Sequence, residues 1–393
     1  MSTVSPISID NNDRQIALQK AMLLLIAVAL NAVELAFPRL PFLPWLKPGF
    51  ANIITIIWII KFGFKDAVLY TALRIWISGF YFGFSLFTLS LSLTGGLLST
   101  VVMSVLWIIL GKRKLIGTIG LGVAGALFHN AGQLAVVYLI MAQNMSLFGQ
   151  VPFMLGAAVV FGGIVGGLAP AISKIICVDN AGGRDINTIN TSNTANTINT
   201  VNPANRQPIK SINKLIVVLT FAVSISLMFI NNISVLISAA IIFSLISVSL
   251  TSKKPWMFLY PLKFYMLFLF VAVTHLFFTY GTRSGILPFT TNEGLLAFTK
   301  QALRLWCWLQ TVHIFKKFHF HELFISALYK FFPNKKDTLE AGMIALEHFP
   351  EIIRFAKSEK KLSISTLLFK PRIALSGYVE AVARRIADIT TSR

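Results

Sequence analysis

The sequence predicts an all-α polytopic membrane protein, and three observations support this fold class. Hydrophobic residues make up 55% of the 393 residues and charged residues 13%, whereas soluble domains contain about 25% charged residues. Most apolar residues are gathered in long spans, as transmembrane helices require. A polar tract rich in Asn and Thr divides these spans into two groups. We expect a six-helix bundle followed by a module of roughly four helices that ends in cytoplasmic amphipathic helices.

The strong positive charge also fits a membrane protein. The chain has 35 Lys and Arg against 15 Asp and Glu, a net charge of +20, which in a soluble protein would favour nucleic acid as a partner. Here the basic residues lie mostly between and after the apolar spans, where the positive-inside rule and anionic lipid headgroups account for them. We therefore expect a lipid bilayer and no nucleic acid as a partner. The charge distribution predicts a multi-pass protein of the inner (cytoplasmic) membrane with both termini in the cytoplasm.

The first module, residues 1–178, is expected to contain six apolar spans. These spans cover residues 21–36, 52–60, 67–80, 95–110, 116–141 and 151–176. Prolines between residues 38 and 48 forbid a continuous helix after the first span. Lys61, Lys65 and Asp66 predict a water-exposed turn before the third span. The sixth span contains two overlapping GxxxG pairs, at residues 162–166 and 163–167, which favour close helix packing.

The fifth span carries three polar side chains in its middle, His129, Asn130 and Gln133. At bilayer depth no lipid group can hydrogen-bond an imidazole or a carboxamide, so such groups usually face a bundle interior or a cavity. His129 and Gln133 are four residues apart and share one face of a helix, with Asn130 beside them. This spacing favours a small-molecule site. The alternative is that the three side chains only tie neighbouring helices together.

Four further polar residues of this module are candidates for the same site. Asn31 and Glu34 lie in the first span, and Glu34 is close enough to its end either to join the site or to reach the membrane interface. Asn52 opens the second span. Arg74 interrupts the third span; turned inward it would suit an anionic ligand or Glu34, and otherwise it would snorkel to the interface.

Residues 179–210 mark a boundary between two modules. Their composition changes abruptly to an Asn/Thr-rich tract of low complexity, which cannot bury a core and predicts a disordered linker. The chain therefore has the organisation of a fusion of two proteins.

The second module, residues 211–315, is expected to cross the membrane again. Its spans cover residues 212–230, 233–250 and 256–280, and a fourth, more amphipathic helix covers 294–315. This last helix carries Lys300, Arg304 and Gln310, so it is either partly embedded or lines the bundle. Residues 316–393 are basic, with apolar residues at helical spacing, and predict amphipathic helices on the cytoplasmic side.

Motifs for catalysis and metal binding are missing from the sequence. No Walker A loop of the form GxxxxGK[ST] occurs, and no DDxxD pair that could hold Mg²⁺ against a diphosphate. His319 and His321 are two residues apart, which is a weak metal-binding pattern. Cys177 and Cys307 are isolated and predict neither a disulfide nor a zinc site. We expect no enzyme activity, no catalytic residue, no cofactor and no metal.

The first module resembles a known family over about residues 37–175. The stretches LPWLKPGFANI, the SLTGG turn and GALFHNAGQL, together with Arg74, resemble the Gx transporter family, whose members are often labelled heptaprenyl diphosphate synthase component I. That family is similar to the six-helix substrate-binding S components of energy-coupling factor (ECF) transporters. The residues that match its pattern are Lys47, Pro48, Gly49, Asn52, Arg74, His129, Asn130 and Gln133.

The second half resembles another component of the same transporters. TTNEGLLAFTKQALRLWCWLQ, FHFHELFISALYKFF and LEAGMIALEHFPEI are similar to the transmembrane T component, a cobalt-permease-like family. In that family cytoplasmic helices dock on two ATPase subunits through short Ala-Arg motifs. By this resemblance Ala383, Arg384 and Arg385 are candidates for partner coupling.

Together the two resemblances imply a substrate-binding and scaffold subunit of an ECF-type uptake transporter for a small organic micronutrient or cofactor precursor. Separate ATP-binding subunits would be its partners. The substrate-binding residues would be Asn31, Glu34, Asn52, Arg74, His129, Asn130 and Gln133. The alternatives are an accessory membrane subunit linked to prenyl diphosphate or quinone synthesis, a role in flavin-dependent electron transfer, and a purely structural anchor.

Overall fold

A computed structural model shows a protein built from α-helices. It describes residues 11–34, 48–82, 86–142, 145–178, 211–251, 255–279, 281–283, 290–318, 320–332, 334–358 and 371–391. The structure is 90% helical and has no strands in these residues. The prediction of an all-α polytopic membrane fold is therefore confirmed. The predicted linker and Lys47 lie outside the described residues.

The first module consists of six helices in the order of the predicted spans. They are α1 (Asn11–Glu34), α2 (Ala51–Phe62), α3 (Phe64–Phe82), α4 (Leu86–Leu106), α5 (Thr118–Val136) and α6 (Val151–Val178). π-helical turns at Trp107–Gly111 and Val137–Ala142 extend α4 and α5. A 3-10 turn at Met145–Gln150 leads into α6.

The helix α4 begins earlier than the sequence pattern indicates. The predicted span starts at Gly95 with SLTGG as a turn, but α4 starts at Leu86 and SLTGG is helical. Gly95 and Gly96 allow close helix contacts instead. A Cβ on Gly96 would lie 2.7 Å from Cδ1 of Ile75, and one on Gly95 would lie 2.9 Å from the carbonyl oxygen of His129.

Close contact between α5 and α6 depends on one of the two predicted GxxxG pairs. A Cβ on Gly162 would lie 2.6 Å from Cα of Val123, and one on Gly166 would lie 2.3 Å from the carbonyl oxygen of Thr118. No atom lies within 4 Å of a Cβ on Gly163 in the part of the chain that the structure describes. The Gly162–Gly166 pair therefore allows α5 and α6 to cross in close contact.

The second module is organised around its last helix. Its helices are α7 (Ser211–Ser226), α8 (Ile233–Leu250), α9 (Tyr265–Phe278) and α10 (Asn292–Lys317), with a 3-10 segment at Pro255–Phe264. The helix α10 contacts the other three. Arg304 Nη2 donates to the carbonyl oxygen of Ile230 at 2.8 Å, and Gln310 Nε2 donates to that of Phe258 at 2.9 Å. The amphipathic pattern of α10 thus reflects buried polar contacts inside the bundle.

Three C-terminal helices connect the second module to the first. They are α11 (Phe320–Phe331), α12 (Lys336–Ser358) and α13 (Pro371–Thr391). The helix α12 packs on α1 and α3, and α13 packs on α6 and α1. The Tyr378 hydroxyl of α13 donates to the carbonyl oxygen of Ala29 at 3.3 Å. The Trp76 ring of α3 stacks on Phe324 of α11 with 3.8 Å between centroids.

The prediction of a water-exposed turn before α3 is wrong for Asp66. Its residue exposure is 3%, because the start of α12 covers it and the Thr338 hydroxyl donates to its carboxylate at 2.6 Å. The spacing of charges in the sequence does not reveal that Thr338, 272 residues later in the chain, packs over Asp66.

Six segments among the described residues are long and apolar enough to cross a membrane. They are Ile16–Glu34, Phe87–Gly111, Thr118–Ile140, Met145–Ile176, Ile233–Leu250 and Pro255–Phe278. The segments Ala51–Phe62 and Ile212–Ser226 are apolar but shorter. The inner membrane and the cytoplasmic position of both termini stay predictions.

Candidate functional site

Arg74 lies in the middle of α3 and is buried, with 4% of its surface exposed. Its Nη1 reaches Oδ1 of Asn52 on α2 at 3.5 Å, and its guanidinium lies 5.9 Å from the ring centre of Tyr70. Among the described residues no carboxylate lies within 4.0 Å of the guanidinium, and Nε has no hydrogen-bond partner. Arg74 therefore faces the interior, where its charge has no described counter-ion.

The start of α2 places Asn52 beside Arg74. Gly49 has a φ of +75°, which favours glycine, and its carbonyl accepts from the backbone N–H of Asn52 at 2.9 Å. Glu34 Oε1 accepts from the backbone N–H of Ala51 at 3.0 Å. A carboxylate suits this position because the first N–H groups of a helix lack internal partners and carry partial positive charge. Glu34 is itself buried, so it orients the start of α2 rather than reaching the interface.

The helix α5 brings His129 and Gln133 against α4. Both side chains flank Gly95: a Cβ there would lie 3.1 Å from Nδ1 of His129 and 3.0 Å from Cγ of Gln133. A Cβ on Gly96 would lie 3.8 Å from Nη2 of Arg74. This glycine pair therefore brings three of the predicted site residues together from α3 and α5. Gln133 is buried, and its Oε1 has no hydrogen-bond partner among the described residues.

A small cleft opens beside this cluster, between α2, α5 and α6. Asn52, His129 and Asn130 line it together with Pro48 and Phe161. The rest of the lining is formed by small or aliphatic residues of the same helices and of the turn before α2. The empty volume is about 320 Å³, including the space open at its mouth. Because this figure includes open space, little of it is enclosed, and a solute would bind at the mouth or widen the cleft.

Two predicted site residues tie helices together. Asn130 Nδ2 donates to the carbonyl oxygen of Met154 on α6 at 3.1 Å. Asn31 Nδ2 donates to the Ser78 hydroxyl on α3 at 2.8 Å. Asn130 both ties helices and lines the cleft, whereas Asn31 lies outside the lining. The helix-tying alternative, raised for the fifth span, therefore describes part of the role of Asn130, and Asn31 ties helices as well.

The three predicted coupling residues lie on α13 and differ in environment. Ala383 is buried in the core that α13 shares with α1. Arg384 pairs with Glu380 one turn earlier on the same helix, and its side chain is 75% exposed. Arg385 Nη2 lies 2.8 Å from Glu351 Oε1 on α12. Only Arg384 presents most of its side chain to the surface.

Two features of the site were not predicted from the sequence. Ser78 pairs with Asn31 and lies four residues after Arg74, so it shares its helix face, and the spacing could have indicated it. Phe161 lines the cleft, but it is one of 33 phenylalanines and carries no distinguishing signal.

Metal-binding groups are absent from the described part of the chain, which has no group of three His, Cys, Asp or Glu side chains that could hold an ion. His319 and the side chains of His321 and Cys177 lie outside the described residues. Cys307 is a free, buried thiol in α10.

Comparison with known proteins finds one family that is similar to the first module. Residues 23–172, which run from α1 into α6, match the family model of heptaprenyl diphosphate synthase component I. No curated protein and no solved structure matches the chain. The match covers less than half of the chain and does not reach the second module. Over residues 23–172 the first module is therefore similar to the family described as heptaprenyl diphosphate synthase component I.

Proposed function

We propose that the chain is the substrate-binding and scaffold subunit of an ECF-type uptake transporter, and that its first module binds a small organic solute with an anionic group. The observation that carries this proposal is the buried guanidinium of Arg74, which has no described carboxylate partner and contacts a cleft-lining carboxamide. Burying an uncompensated charge in a protein costs several kcal/mol. A bound carboxylate or phosphate would offset that cost through charge-assisted, bidentate hydrogen bonds.

The other polar groups around the cleft suit the same ligand. Asn52 lines the cleft and contacts Arg74, which is itself outside the lining, so an incoming anion would have to replace this weak contact to reach the guanidinium. His129 and Asn130 line the cleft from α5 and would hydrogen-bond the rest of the solute. Phe161 offers an aromatic surface from α6. These groups fit a micronutrient or cofactor precursor with one polar end and one flat apolar part.

Uptake against a gradient needs an energy source outside this chain. The sequence contains no Walker A loop, so separate ATP-binding subunits would supply it. The second module and α11–α13 would be the scaffold that recruits them, with Arg384 exposed on α13. ATP hydrolysis by these partners would reorient the first module in the membrane and release the solute inward.

Native mass spectrometry of the full chain, purified in mild detergent, tests the proposal. The wild-type protein is expected to retain a small molecule with an anionic group and to co-purify with ATP-binding subunits. Arg74→Gln should lose the small molecule at unchanged expression, and so should His129→Ala. Arg384→Gln, which alters an exposed arginine outside the cleft lining, is the matched control for ligand retention. Equal occupancy in wild type and Arg74→Gln would overturn the assignment of the site.

A second candidate is an accessory role in prenyl diphosphate synthesis. The description of the matching family favours it, and a diphosphate would also pair with Arg74. A heptaprenyl chain, however, would need a long apolar groove, and the cleft encloses little space. Titration with a prenyl diphosphate and with inorganic diphosphate separates the two candidates. Stabilisation by the prenyl compound alone would support the accessory role over uptake.

A further inference from the structure

A group of charges joins the first module to the C-terminal helices; two of them are buried in the first module, and the two from the C-terminal side are 29% and 32% exposed. We call it the docking knot; it consists of Lys20, Asp66, Lys335, Asp337 and Thr338. Lys20 Nζ on α1 lies 2.8 Å from Asp66 Oδ1 on α3 and donates to the Thr338 hydroxyl at 2.8 Å. It also pairs with Asp337. All three N–H donors of this ammonium group are therefore used.

Asp66 is the second centre of the docking knot. Its Oδ1 accepts from Lys20 and from the Thr338 hydroxyl, the latter at 2.6 Å, and its Oδ2 pairs with Lys335. The side chains of Lys20 and Asp66 are only 3% and 4% exposed. Neither charge can exchange its protein partners for water while α12 is in place.

Each side of this interface is neutral by itself. The first module contributes one cation and one anion, Lys20 and Asp66. The C-terminal side also contributes one of each, Lys335 and Asp337, within three residues at the start of α12. The signs are crossed, so that each charge of the first module faces an opposite charge of the C-terminal side.

The surface around the docking knot is apolar and tightly packed. Ala21 of α1 is buried against Ala341 and Ile344 of α12, and a Cβ on Gly342 would lie 3.0 Å from the Leu73 side chain of α3. Apolar contacts of this kind do not by themselves select one partner helix over another. A buried ion pair in the same surface penalises any partner that leaves one of its charges unmatched.

We propose that the docking knot is a recognition site that accepts one partner, the start of α12 of the same chain, and thereby makes the two modules a dedicated pair. The recognised pattern is a helix start with a cation, a carboxylate and a hydroxyl in the order Lys-x-Asp-Thr. A helix without this pattern would bury Lys20 and Asp66 without the opposite charges that Asp337 and Lys335 provide. The inference concerns the fit between the modules and does not depend on which solute is bound.

The experiment uses the full chain with a protease site inserted in the Asn/Thr-rich tract and an affinity tag on the first module. After purification in detergent and cleavage, the retained fraction of the C-terminal half is measured. Three variants reverse the charges: Lys20→Asp with Asp66→Lys, Lys335→Asp with Asp337→Lys, and all four together. The matched control reverses the exposed pair within α13, Glu380→Arg with Arg384→Glu.

We expect each double reversal to reduce retention at least about tenfold, because it sets like charges against each other in a buried site. The fourfold reversal should restore retention to within about threefold of the wild type, because opposite charges face each other again. This recovery also shows that none of the four substitutions by itself prevents folding, and an unchanged unfolding temperature of each half after cleavage checks that the double variants are folded. Wild-type retention in either double reversal would overturn the proposal, and so would a fourfold variant that stays as low as the doubles.

Discussion

Arg74 Nη1 and Asn52 Oδ1 meet at 3.5 Å, the outer limit of a hydrogen bond, although both side chains are buried. Charge-assisted hydrogen bonds are normally about 2.7–2.9 Å long, so this contact satisfies the guanidinium only weakly. Asn52 also lines the cleft. On the proposed function, an anionic solute would therefore give the guanidinium a shorter contact than Asn52 does.

Replacing Asn52 by Asp should abolish retention of an anionic solute. The new carboxylate would lie against the guanidinium and form an internal ion pair, which occupies the charge that the solute needs. We expect at least a tenfold loss of occupancy in native mass spectra, with an unfolding temperature no lower than that of the wild type. Asn31→Ser is the control, because Asn31 lies outside the cleft lining. Unchanged occupancy in Asn52→Asp would contradict the role given to Arg74.

Glu34 should tolerate Gln but not Ala. Glu34 Oε1 accepts from the backbone N–H of Ala51, and a Gln oxygen can accept the same bond. Loss of a side-chain acceptor at a helix start typically costs about 0.5–2 kcal/mol. Glu34→Ala should therefore lower the unfolding temperature in detergent and weaken solute retention through Asn52, whereas Glu34→Gln should stay near the wild type. Equal loss in both variants would indicate that the negative charge itself is needed.

The helical membrane fold could be predicted from the sequence because the thickness of the bilayer dictates how long an apolar span must be, and such spans are visible in the sequence. The candidate residues His129, Asn130 and Gln133 followed from the same physics, since polar groups at that depth need an internal partner or a cavity. The inward orientation of Arg74 was one of two alternatives that depth alone could not separate. It required the position of Asn52, which depends on the turn at residues 48–50.

Contacts between distant parts of the chain could not be predicted from the sequence. Lys20 and Thr338 are 318 residues apart, and nothing in the sequence around either residue indicates that the two are in contact. Likewise, SLTGG has the composition of a turn, but its glycines are helical because α3 and α5 need the space. Tertiary packing overrides local preference at such positions.

The docking knot should be insensitive to pH near neutrality and should weaken in acid. Burial raises the pKa of Asp66, but hydrogen bonds from Lys20, Lys335 and Thr338 outweigh it and hold this pKa below 3.8. A lowered pKa in the folded state stabilises the fold above the unfolded value, and this contribution is lost as the pH falls through the folded value. Retention of the C-terminal half should therefore be constant from about pH 8 to 5 and decrease below about pH 4. Asp66→Asn should lack this acid-dependent decrease, and an identical pH profile in that variant would contradict the assignment.

Alanine substitutions at Gly122 of α5 and Gly163 of α6 should show that a glycine matters for stability only where two helices touch. A Cβ on Gly122 of α5 would lie 2.2 Å from the carbonyl oxygen of Gly162, which is backbone and cannot turn aside. Gly163→Ala is the matched control, because among the described residues no atom lies within 4 Å of its added Cβ. Overpacking of this kind costs about 1–3 kcal/mol, so Gly122→Ala should lower the unfolding temperature in detergent and widen the cleft that α5 and α6 share. Gly163→Ala should be neutral or slightly stabilising, because Ala favours the helix more than Gly does. If both variants unfolded at the same temperature, the α5–α6 crossing would not depend on the 162–166 pair.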